Sequence, residues 1–447
     1  MSGVYNRRVT GTQSPGGDGV SATRPRRATW RRRAARVAAG LAAAAMLFGP
    51  TIVPAREERS VFHGMPTEPD SAFKPTPSKN PVDITRAWIF DDFRAPLADR
   101  LDGDGTRVIA ADRSGDVAAL AATDGSVVWR VHLGEAMAVG PELEGGRVLL
   151  STTTGAVVAL DAVDGSRDWR AVLGATPVAP PMAAGGRLLV ATEAPELLAL
   201  DPATGAVLGR IPLPGRPVPP SLGEHLVIVG TEHGMVVAVD PATLQVRWRR
   251  YLRMAVTAPV LIESKRVYVA VADRTLRCLR LSSGKQVWRQ RTGAIATASL
   301  MSAGEYVYVL CWDDDIYVVR RSNGHLAARV HLDHRLSLDA VRARDYLYVA
   351  PFTEGTVVAL SLPGLTMAGK FNLAAPGEWF TTPPVMAGER VAVGSGRAAG
   401  RILALDVKPA PPKKGAPAAP GPPAAAPEGA PQQGPPAPPP SGATPGR

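Results

Sequence analysis

The strongest constraint on this chain is an internal repeat. A pattern close to G-x-V-x-A-L-D-x-x-T-G-x-x-x-W recurs eight times at intervals of about forty residues, and its clearest copy runs from Gly155 to Trp169. The apolar residue before the aspartate position marks the eight copies: Leu120, Leu160, Leu200, Val239, Leu279, Val319, Leu360 and Leu405. Self-similarity at this period predicts that each copy folds as one supersecondary unit and stacks on its neighbours.

Each copy contains four short segments with the composition of strands. The second is a β-branched or aromatic run such as Val227-Ile228-Val229, the third is the VVAL-type segment, and the fourth ends on Trp in several copies. Gly and Asp between the segments supply the positive φ of tight hairpins, and no stretch has helical periodicity. Four antiparallel strands per copy predict an all-β, eight-bladed β-propeller over residues 82–408.

A propeller ring must close, because otherwise two sheet edges stay unpaired. The last copy ends at Asp406 without a fourth strand, whereas a fourth-strand segment around Trp88 precedes the first copy in register with the repeat. We therefore expect this N-terminal strand to complete the last blade. Seven blades is the alternative, if the irregular last copy does not form a blade.

Tryptophans at the end of the fourth strand are candidates for docking one blade on the next, where a ring can bury roughly 150–250 Å². They are Trp88, Trp129, Trp169, Trp248 and Trp288. Copies three, six and seven have Gly209, Ala328 and Gly369 at this position, which predicts weaker contacts there. The turn glycine of other copies is Leu244 in copy four.

The net charge of +11 is concentrated at the ends of the chain. Residues 1–36 contain nine Arg and one Asp, and residues 409–447 have a net charge of +2, so residues 37–408 carry only +1. A nearly neutral propeller lacks the global basic footprint of a nucleic-acid-binding protein, although a local patch remains open. No nucleic-acid partner is expected.

The segments outside the ring predict export. Residues 1–36 form a basic leader that stays in the cytoplasm, and the apolar residues that follow within 37–55 indicate a signal peptide or an uncleaved membrane anchor. Residues 56–81 are predicted as a linker, and the Pro/Ala-rich residues 409–447 as a disordered tail. The propeller is therefore expected outside the cytoplasm, in the periplasm or cell envelope.

The repeat from Trp88 to Asp406 resembles that of the pyrroloquinoline-quinone (PQQ) type β-propellers. One branch of this family holds the quinoprotein alcohol and glucose dehydrogenases. The other holds propellers that bind no quinone, including the lipoprotein of the bacterial outer-membrane β-barrel assembly machinery, which is similar in length and blade count. The resemblance implies a PQQ-dependent dehydrogenase in the first case and an envelope assembly scaffold in the second.

The dehydrogenase branch, by resemblance, holds calcium with Glu, Asn and Asp, stacks the quinone on a Trp and carries a disulfide between neighbouring cysteines. This chain has only Cys278 and Cys311, and Asn is scarce in its repeats. We expect free, buried thiols and no cofactor. No Cys follows the apolar core, so the lipid attachment of the assembly lipoprotein is not expected.

Three polar motifs are candidate metal sites, and three aromatic residues are candidate partner-binding residues. Asp313-Asp314-Asp315 and Asp102-Gly103-Asp104-Gly105 could contact calcium, but hairpin turns are favoured, solvated in the first case. His331-Leu332-Asp333-His334 could hold zinc, but a surface strand end is favoured. The off-pattern aromatic residues anchor a protein partner or pack into the next blade: Trp312, Trp379 and Phe380.

These observations predict a monomeric, non-catalytic propeller that acts as a protein-protein interaction scaffold, with other envelope proteins as partners. The membrane is a further partner if the segment within 37–55 is not cleaved. A sensor or ligand-binding ectodomain is the second interpretation, and a PQQ-dependent dehydrogenase is the third.

Overall fold

The computed structural model describes residues 52–53, 61–63 and 75–411, apart from 297, 334–335, 337, 352–354, 374–377 and 397. Eight four-stranded antiparallel sheets follow one another around a ring, which confirms the eight-bladed propeller. We number the blades 1 to 8 in chain order. In each blade the first strand lies nearest the axis and the fourth lies at the rim.

Blade 1 contains the strands Asp102–Gly103, Arg107–Ala111, Asp116–Ala121 and Val127–His132, and blade 2 contains Met137–Glu144, Arg147–Thr152, Ala156–Asp161 and Arg167–Val172. Blade 3 contains Met182–Ala184, Arg187–Ala191, Glu196–Leu200 and Val207–Pro212, and blade 4 contains Ser221–Leu222, Val227–Gly230, Met235–Val239 and Val246–Tyr251. Blade 5 contains Leu261–Glu263, Arg266–Val271, Thr275–Arg280 and Gln286–Arg291. Blade 6 contains Met301–Ala303, Tyr306–Leu310, Asp315–Arg320 and Leu326–His331, and blade 7 contains Val341–Ala343, Tyr346–Val349, Thr356–Ser361 and Thr366–Asn372.

Blade 8 joins the two ends of the ring. It contains Val385–Ala387, Arg390–Ser395, Arg401–Pro409 and, as its rim strand, Val82–Phe90. The rim strand pairs antiparallel with the third strand from Val82 opposite Pro409 to Phe90 opposite Ile402. The N-terminal closing strand that the sequence predicts is therefore confirmed.

The hydrophobic core consists of eight apolar layers, one between each pair of neighbouring blades. The layer between blades 8 and 1 includes Trp88, Leu101 and Leu120, and the layer between blades 4 and 5 includes Ile228 and Trp248. The two central strands of each blade are buried on both faces, because each blade packs against a neighbour on either side. This explains why their sequences are nearly continuous apolar runs.

Tryptophan fills five of the eight junctions between blades in the same way. Each indole Nε1 donates a hydrogen bond of 2.7 to 3.1 Å to a backbone carbonyl of the next blade. Each ring also covers the turn glycine of that blade so closely that a Cβ there would lie 2.5 or 2.6 Å from a ring carbon. The five pairs are Trp88 with Gly125, Trp129 with Gly165, Trp169 with Gly205, Trp248 with Gly284, and Trp288 with Gly324.

Two of the junctions without Trp are filled by leucine from the opposite blade. A Cβ on Gly209 of blade 3 would lie 2.6 Å from Cδ1 of Leu244, which stands at the turn-glycine position of blade 4. Ala328 of blade 6 packs in the same layer as Leu365 of blade 7, which is fully buried. Both leucines keep the positive φ of the glycine that they replace, 59° and 53°. The space left by the missing Trp is therefore occupied.

Short N-terminal segments lie along the rim. Ile52–Val53 pairs parallel with the rim strand of blade 4, opposite Arg249 and Arg250. Val61–His63, within the predicted linker, pairs parallel with the rim strand of blade 5. The predicted leader, most of the segment 37–55 and residues 412–447 lie outside the described residues. In the part of the chain that the structure describes, no helix has the length and apolar character that a membrane span requires.

Candidate functional site: loop face and axial cavity

One face of the ring carries the longer connections, and we call it the loop face. It is formed by the turn between the second and third strands of each blade and by the connection from the rim strand to the next blade. Backbone hydrogen bonds hold the two together, as from Leu133 N to Gly115 O at 2.9 Å and from Leu332 N to Asp314 O at 2.9 Å. The opposite side carries the tight hairpins, and we call it the turn face.

The loop face of blade 6 brings together two motifs that are separate in the sequence. Asp315 begins the third strand and His331 ends the rim strand, and the antiparallel register places them opposite each other. His331 Nδ1 lies 2.8 Å from Asp315 Oδ1, and Arg329 Nε donates a hydrogen bond to the other carboxylate oxygen, with which Arg329 also forms an ion pair. The Asp315 side chain is fully buried. The prediction of a solvated turn is therefore wrong for Asp315, because its carboxylate is shielded from water and contacts Arg329 and His331 instead.

A second carboxylate completes this group, which we call the blade 6 cluster: Asp313, Asp315, Tyr317, Arg329 and His331. The Tyr317 hydroxyl donates a 2.6 Å hydrogen bond to Asp313 and accepts one of 2.8 Å from the Gly293 amide. Burial raises the pKa of Asp313, and the hydrogen bond from Tyr317 only partly opposes this rise. Burial and the neighbouring Asp313 also raise the pKa of Tyr317, so its hydroxyl stays protonated.

Blade 1 repeats the arrangement in a more open form. Asp116 accepts a 3.0 Å hydrogen bond from Arg130, and its other oxygen lies 2.8 Å from His132 Nδ1. Desolvation opposes ionisation of Asp116, but the hydrogen bonds from His132 and Arg130 outweigh it and lower the pKa. These three side chains line an open cleft of about 440 Å³. Sequence reasoning missed both clusters, although the signal was available as an Asp, an Arg fourteen residues later and a His sixteen residues later.

The predicted partner-binding aromatic residues divide into different environments. Trp312 lies in the loop-face turn of blade 6, and 53% of its surface is exposed. Trp379 is half-buried. Phe380 is fully buried in the layer between blades 7 and 8 and forms a bridge to Ser395. As a partner-binding residue Phe380 is a wrong prediction, because it occupies a repeat position that Val256 and Ala296 fill in blades 5 and 6.

The remaining motifs are structural where the structure describes them. Asp104 forms a turn by accepting hydrogen bonds from Thr106 and Arg107, which lower the pKa of its carboxyl to about 2 against an opposing desolvation effect. His331 lies at a strand end, as predicted, and His334 lies outside the described residues. No group of three or more potential ligands in the described part of the chain is arranged for a metal ion.

Both cysteines are free and buried, as predicted. Burial raises the pKa of Cys278 to about 12 and also raises the pKa of Cys311. Because the thiolate is the reactive form of cysteine, neither side chain is suited to act as a nucleophile.

A cavity of about 610 Å³ lies on the axis of the ring, and residues from all eight blades line it. Most of the lining is Pro, Ala and Val, and the carboxylates of Asp99 and Asp339 are its acidic groups. Asp99 accepts a 2.6 Å hydrogen bond from the Gly140 amide. Its side chain reaches solvent inside the cavity, yet protein surrounds it, and this desolvation raises the pKa of Asp99.

These donors do not fit a calcium-quinone site. Calcium takes six to eight oxygen ligands, whereas the axial cavity offers two carboxylates on blades 1 and 7, each already accepting a backbone N–H. The side chains that lie between them around the axis are mainly apolar. No chemical step that uses a quinone can be derived from these residues.

The fold and its repeat define the class of protein as a PQQ-like repeat β-propeller. A family model described as outer membrane protein assembly factor BamB matches residues 81–218 and 214–409. Because the two matches cover more than half of the chain, the protein belongs to this family.

Solved structures of both natural and designed proteins share the fold. BamB from Moraxella catarrhalis is 21% identical, with a TM-score of 0.59 over 72% of this chain and 97% of that chain. The computationally designed Ika8 protein is 13% identical, with a TM-score of 0.62 over 71% and 99% of the two chains. Quinohemoprotein alcohol dehydrogenase from Comamonas testosteroni is 14% identical, with a TM-score of 0.59 over 72% and 76%. At these identities the likeness shows the fold alone. No curated protein matches the sequence.

Proposed function

We propose that this protein is a non-catalytic scaffold for protein-protein interaction in the assembly of outer-membrane proteins. The observation that carries the proposal is the match of the assembly-factor family across the ring, from residue 81 to residue 409. The axial cavity supports it, because its donors do not fit the calcium and quinone of the dehydrogenases. The propeller acts outside the cytoplasm and is exported or anchored by residues 37–55, with its N-terminus in the cytoplasm.

The partner docks on the loop face beside the blade 6 cluster. Trp312 is exposed there, and Trp and Arg are the side chains that most often carry interface energy. An ion pair holds Arg329 in place on Asp315, and a hydrogen bond joins His331 to the same carboxylate. A rigid, charged surface with one protruding aromatic ring needs little ordering when a partner binds, which favours affinity.

Site-specific photocrosslinking in cells tests this surface. A photoreactive phenylalanine analogue replaces Trp312 in one strain and Val163 in a matched control strain. Val163 is 73% exposed and lies in a hairpin of the turn face. We expect a discrete crosslink to an envelope protein from position 312 and none from position 163. No adduct at position 312, or the same adducts at both positions, contradicts the proposed docking surface.

A ligand-binding or sensor ectodomain is the second candidate, and the axial cavity favours it. An apolar cavity of about 610 Å³ with a protonatable carboxyl at Asp99 could hold a small molecule. Thermal-shift screening of the full chain and its Asp99→Leu variant tests this: a ligand that stabilises only the wild type supports it.

The PQQ-dependent dehydrogenase is the third candidate. Incubation with PQQ and calcium should give no redox-active visible spectrum, and the appearance of one would overturn the non-catalytic proposal.

A further inference from the structure

The near-neutral ring conceals a strong division of charge. Residues 245–292, which include the rim strand of blade 4 and all of blade 5, contain twelve Lys and Arg and two acidic residues. Residues 82–244 contain twelve basic and twenty-one acidic residues, and residues 293–408 contain eleven of each. We call residues 245–292 the basic sector. Its net charge of +10 lies against a net −9 in the preceding part of the ring.

One position of the rim strand is basic both inside and outside the basic sector. The rim residue after the Trp position is Arg in blades 1 to 6: Arg130, Arg170, Arg210, Arg249, Arg289 and Arg329. In blades 1, 2, 3 and 6 this Arg makes an ion pair, with Asp116, Glu135, Glu196 and Asp315. The corresponding third-strand position is Met235 in blade 4 and Thr275 in blade 5. Neither residue is acidic, and Ala156 of blade 2 occupies the same position, where Glu135 from the preceding connection pairs with Arg170 instead.

Three arginines of this sector lie exposed on the loop face. Within the described part of the chain, none of them makes an ion pair: Arg253, Arg274 and Arg291. Backbone hydrogen bonds join their segments, from Thr292 N to Arg274 O at 2.8 Å and from Ala272 N to Ala255 O at 2.9 Å. Tyr251 and Met254 are exposed beside Arg253, at 42% and 47%.

Two of these arginines occupy positions that glycine fills in other blades. Arg253 has a φ of 72°, and its counterparts in blades 1 and 2 are Gly134 and Gly174. Arg274 has a φ of 60°, and its counterpart in blade 4 is Gly234. An L-residue in this conformation costs free energy that glycine does not. Both turns therefore carry a guanidinium group at a strained φ, as Asp314 carries a carboxylate at the corresponding position of blade 6.

The N-terminal segment connects this sector with the most apolar stretch of the sequence. Residues 37–53 contain no charged side chain. Their end, Ile52–Val53, pairs with the rim strand of blade 4 at Arg249 and Arg250, and Val61–His63 pairs with the rim strand of blade 5. If residues 37–55 attach the protein to a membrane, the basic sector is the part of the ring next to that attachment.

We propose that the basic sector docks on anionic phospholipid headgroups and holds the ring tilted, with the loop face of this sector at the membrane surface. Arg253, Arg274 and Arg291 contact the phosphates, while Tyr251 and Met254 insert at the level of the headgroups. The acidic blades 1 to 3 then face away from the bilayer, because a negative surface repels them. The inference uses the proposed membrane attachment but does not depend on the proposed assembly role.

Flotation of the full chain with vesicles tests the proposal. Vesicles of phosphatidylcholine alone report binding through the apolar segment, and vesicles with about 30 mol% phosphatidylglycerol add the headgroup charge. The variant R253E/R274E/R291E is compared with R86E/R113E/R167E, which makes the same charge change at exposed arginines of blades 8, 1 and 2. Melting curves by circular dichroism check that each variant is folded.

We expect the wild type and the control variant to prefer anionic vesicles by about 100-fold, since each basic residue near such a surface contributes about a factor of five. The sector variant should lose this preference and still bind neutral vesicles. For the wild type, raising salt from about 0.05 to about 0.5 M should abolish the preference, and this measurement stands even if the sector variant does not fold.

Three outcomes overturn the proposal: no preference in the wild type, an unchanged preference in the sector variant, or an equal loss in both variants. Binding of the wild type to polyglutamate without any vesicle preference would also overturn it, and would assign the sector to an acidic protein partner. Failure of crosslinking at Trp312 leaves these results unaffected, so the two proposals fail separately.

Discussion

The junctions between blades fall into two kinds, and their difference shows how a repeat protein can change a contact without losing it. At the junction of blades 4 and 5, Trp248 projects forward and covers Gly284. At the junction of blades 3 and 4 the large residue projects backward, with Leu244 over Gly209. The volume is filled in both cases, but the Trp junction adds a hydrogen bond and the Leu junction places a β-carbon at positive φ.

The comparison predicts that filled volume matters more than which side supplies it. Substitutions at the Trp–Gly and Gly–Leu pairs test this prediction, and substitutions at Gly369 and in the blade 1 and blade 6 clusters extend it. They are given from the largest expected effect to the smallest.

The largest effect is expected from removing a Trp and then restoring volume from the other side. Trp248→Gly should lower the free energy of unfolding by about 4 kcal/mol, through lost burial and a cavity. Adding Gly284→Leu should recover about 2 kcal/mol, because leucine fills the cavity at the cost of a strained φ. Urea denaturation measures both. A double variant no more stable than Trp248→Gly would show that the two kinds of junction are not interchangeable.

At the junction of blades 7 and 8, neither the rim position nor the turn position of the repeat holds Trp or Leu, and Gly369 of blade 7 lies directly against the closing strand. A Cβ there would be 2.6 Å from the Val82 carbonyl oxygen, so Gly369→Val should cost about 3 kcal/mol by displacing that strand. Gly364→Ala is the matched control in the same blade, since its Cβ would meet no atom within 4 Å. Hydrogen exchange in Arg401–Pro409 should accelerate only in the first variant. Equal protection in both would contradict the proposed role of this contact.

Blades 1 and 6 extend the comparison to the loop face. Blade 1 has Trp at both junctions, with Trp88 and Trp129, whereas blade 6 has Trp288 on one side and Leu365 on the other.

Asp116→Asn in blade 1 should lower the free energy of unfolding by about 2 kcal/mol near neutral pH, because hydrogen bonds to the charged form of Asp116 are lost. The pKa of Asp116 is lowered on folding, so this stabilisation is complete above about pH 4 and is lost as pH falls through the folded value.

Asp313 gives the opposite sign. Burial raises its pKa, so its contribution to stability is most favourable at low pH and declines as pH rises through the folded value. Asp313→Asn should therefore gain stability relative to the wild type as pH rises. Thermal melts between about pH 3 and pH 8 measure both variants, and parallel curves for the two would show that the clusters are electrostatically equivalent.

The smallest effect is expected from converting a Leu junction into a Trp junction. Gly209→Trp alone should clash with Leu244 and destabilise the ring. The double variant with Leu244→Gly removes the clash and the positive φ of leucine, and should be about 1 kcal/mol more stable than the wild type. The melting temperature measures this gain, and a double variant that melts below the wild type would contradict the volume argument.

Much of the fold was predictable, because hairpins and blade period are local properties of sequence. The repeat anchors predicted eight blades, and the register of Trp88 predicted the closing strand. The partial failure concerned residues whose surroundings come from other blades. Phe380 looked irregular but is buried, because the connection before it changes the spacing while its bridge to Ser395 preserves the repeat position.

The candidate sites were predictable only in part. Asp315 and His331 were noticed as separate motifs, yet antiparallel pairing of the third strand with the rim strand makes them neighbours. The net charge of residues 37–408 did not indicate the basic sector, because its positive charge and the negative charge of residues 82–244 nearly cancel in the sum. The two charged regions lie on different sides of the ring.

The sequence by itself determined the ring, the number of blades and the means of closure, because each depends on a period and on strand patterns contained within about forty residues. Only the tertiary structure decided which side fills each junction, which carboxylate exchanges water for an arginine, and which edge of the ring lies beside the N-terminal strands. These depend on contacts between different blades, or between the N-terminal segment and the rim. Residues about 200 positions apart in sequence, such as Ile52 and Arg249, meet there through the geometry of the closed ring.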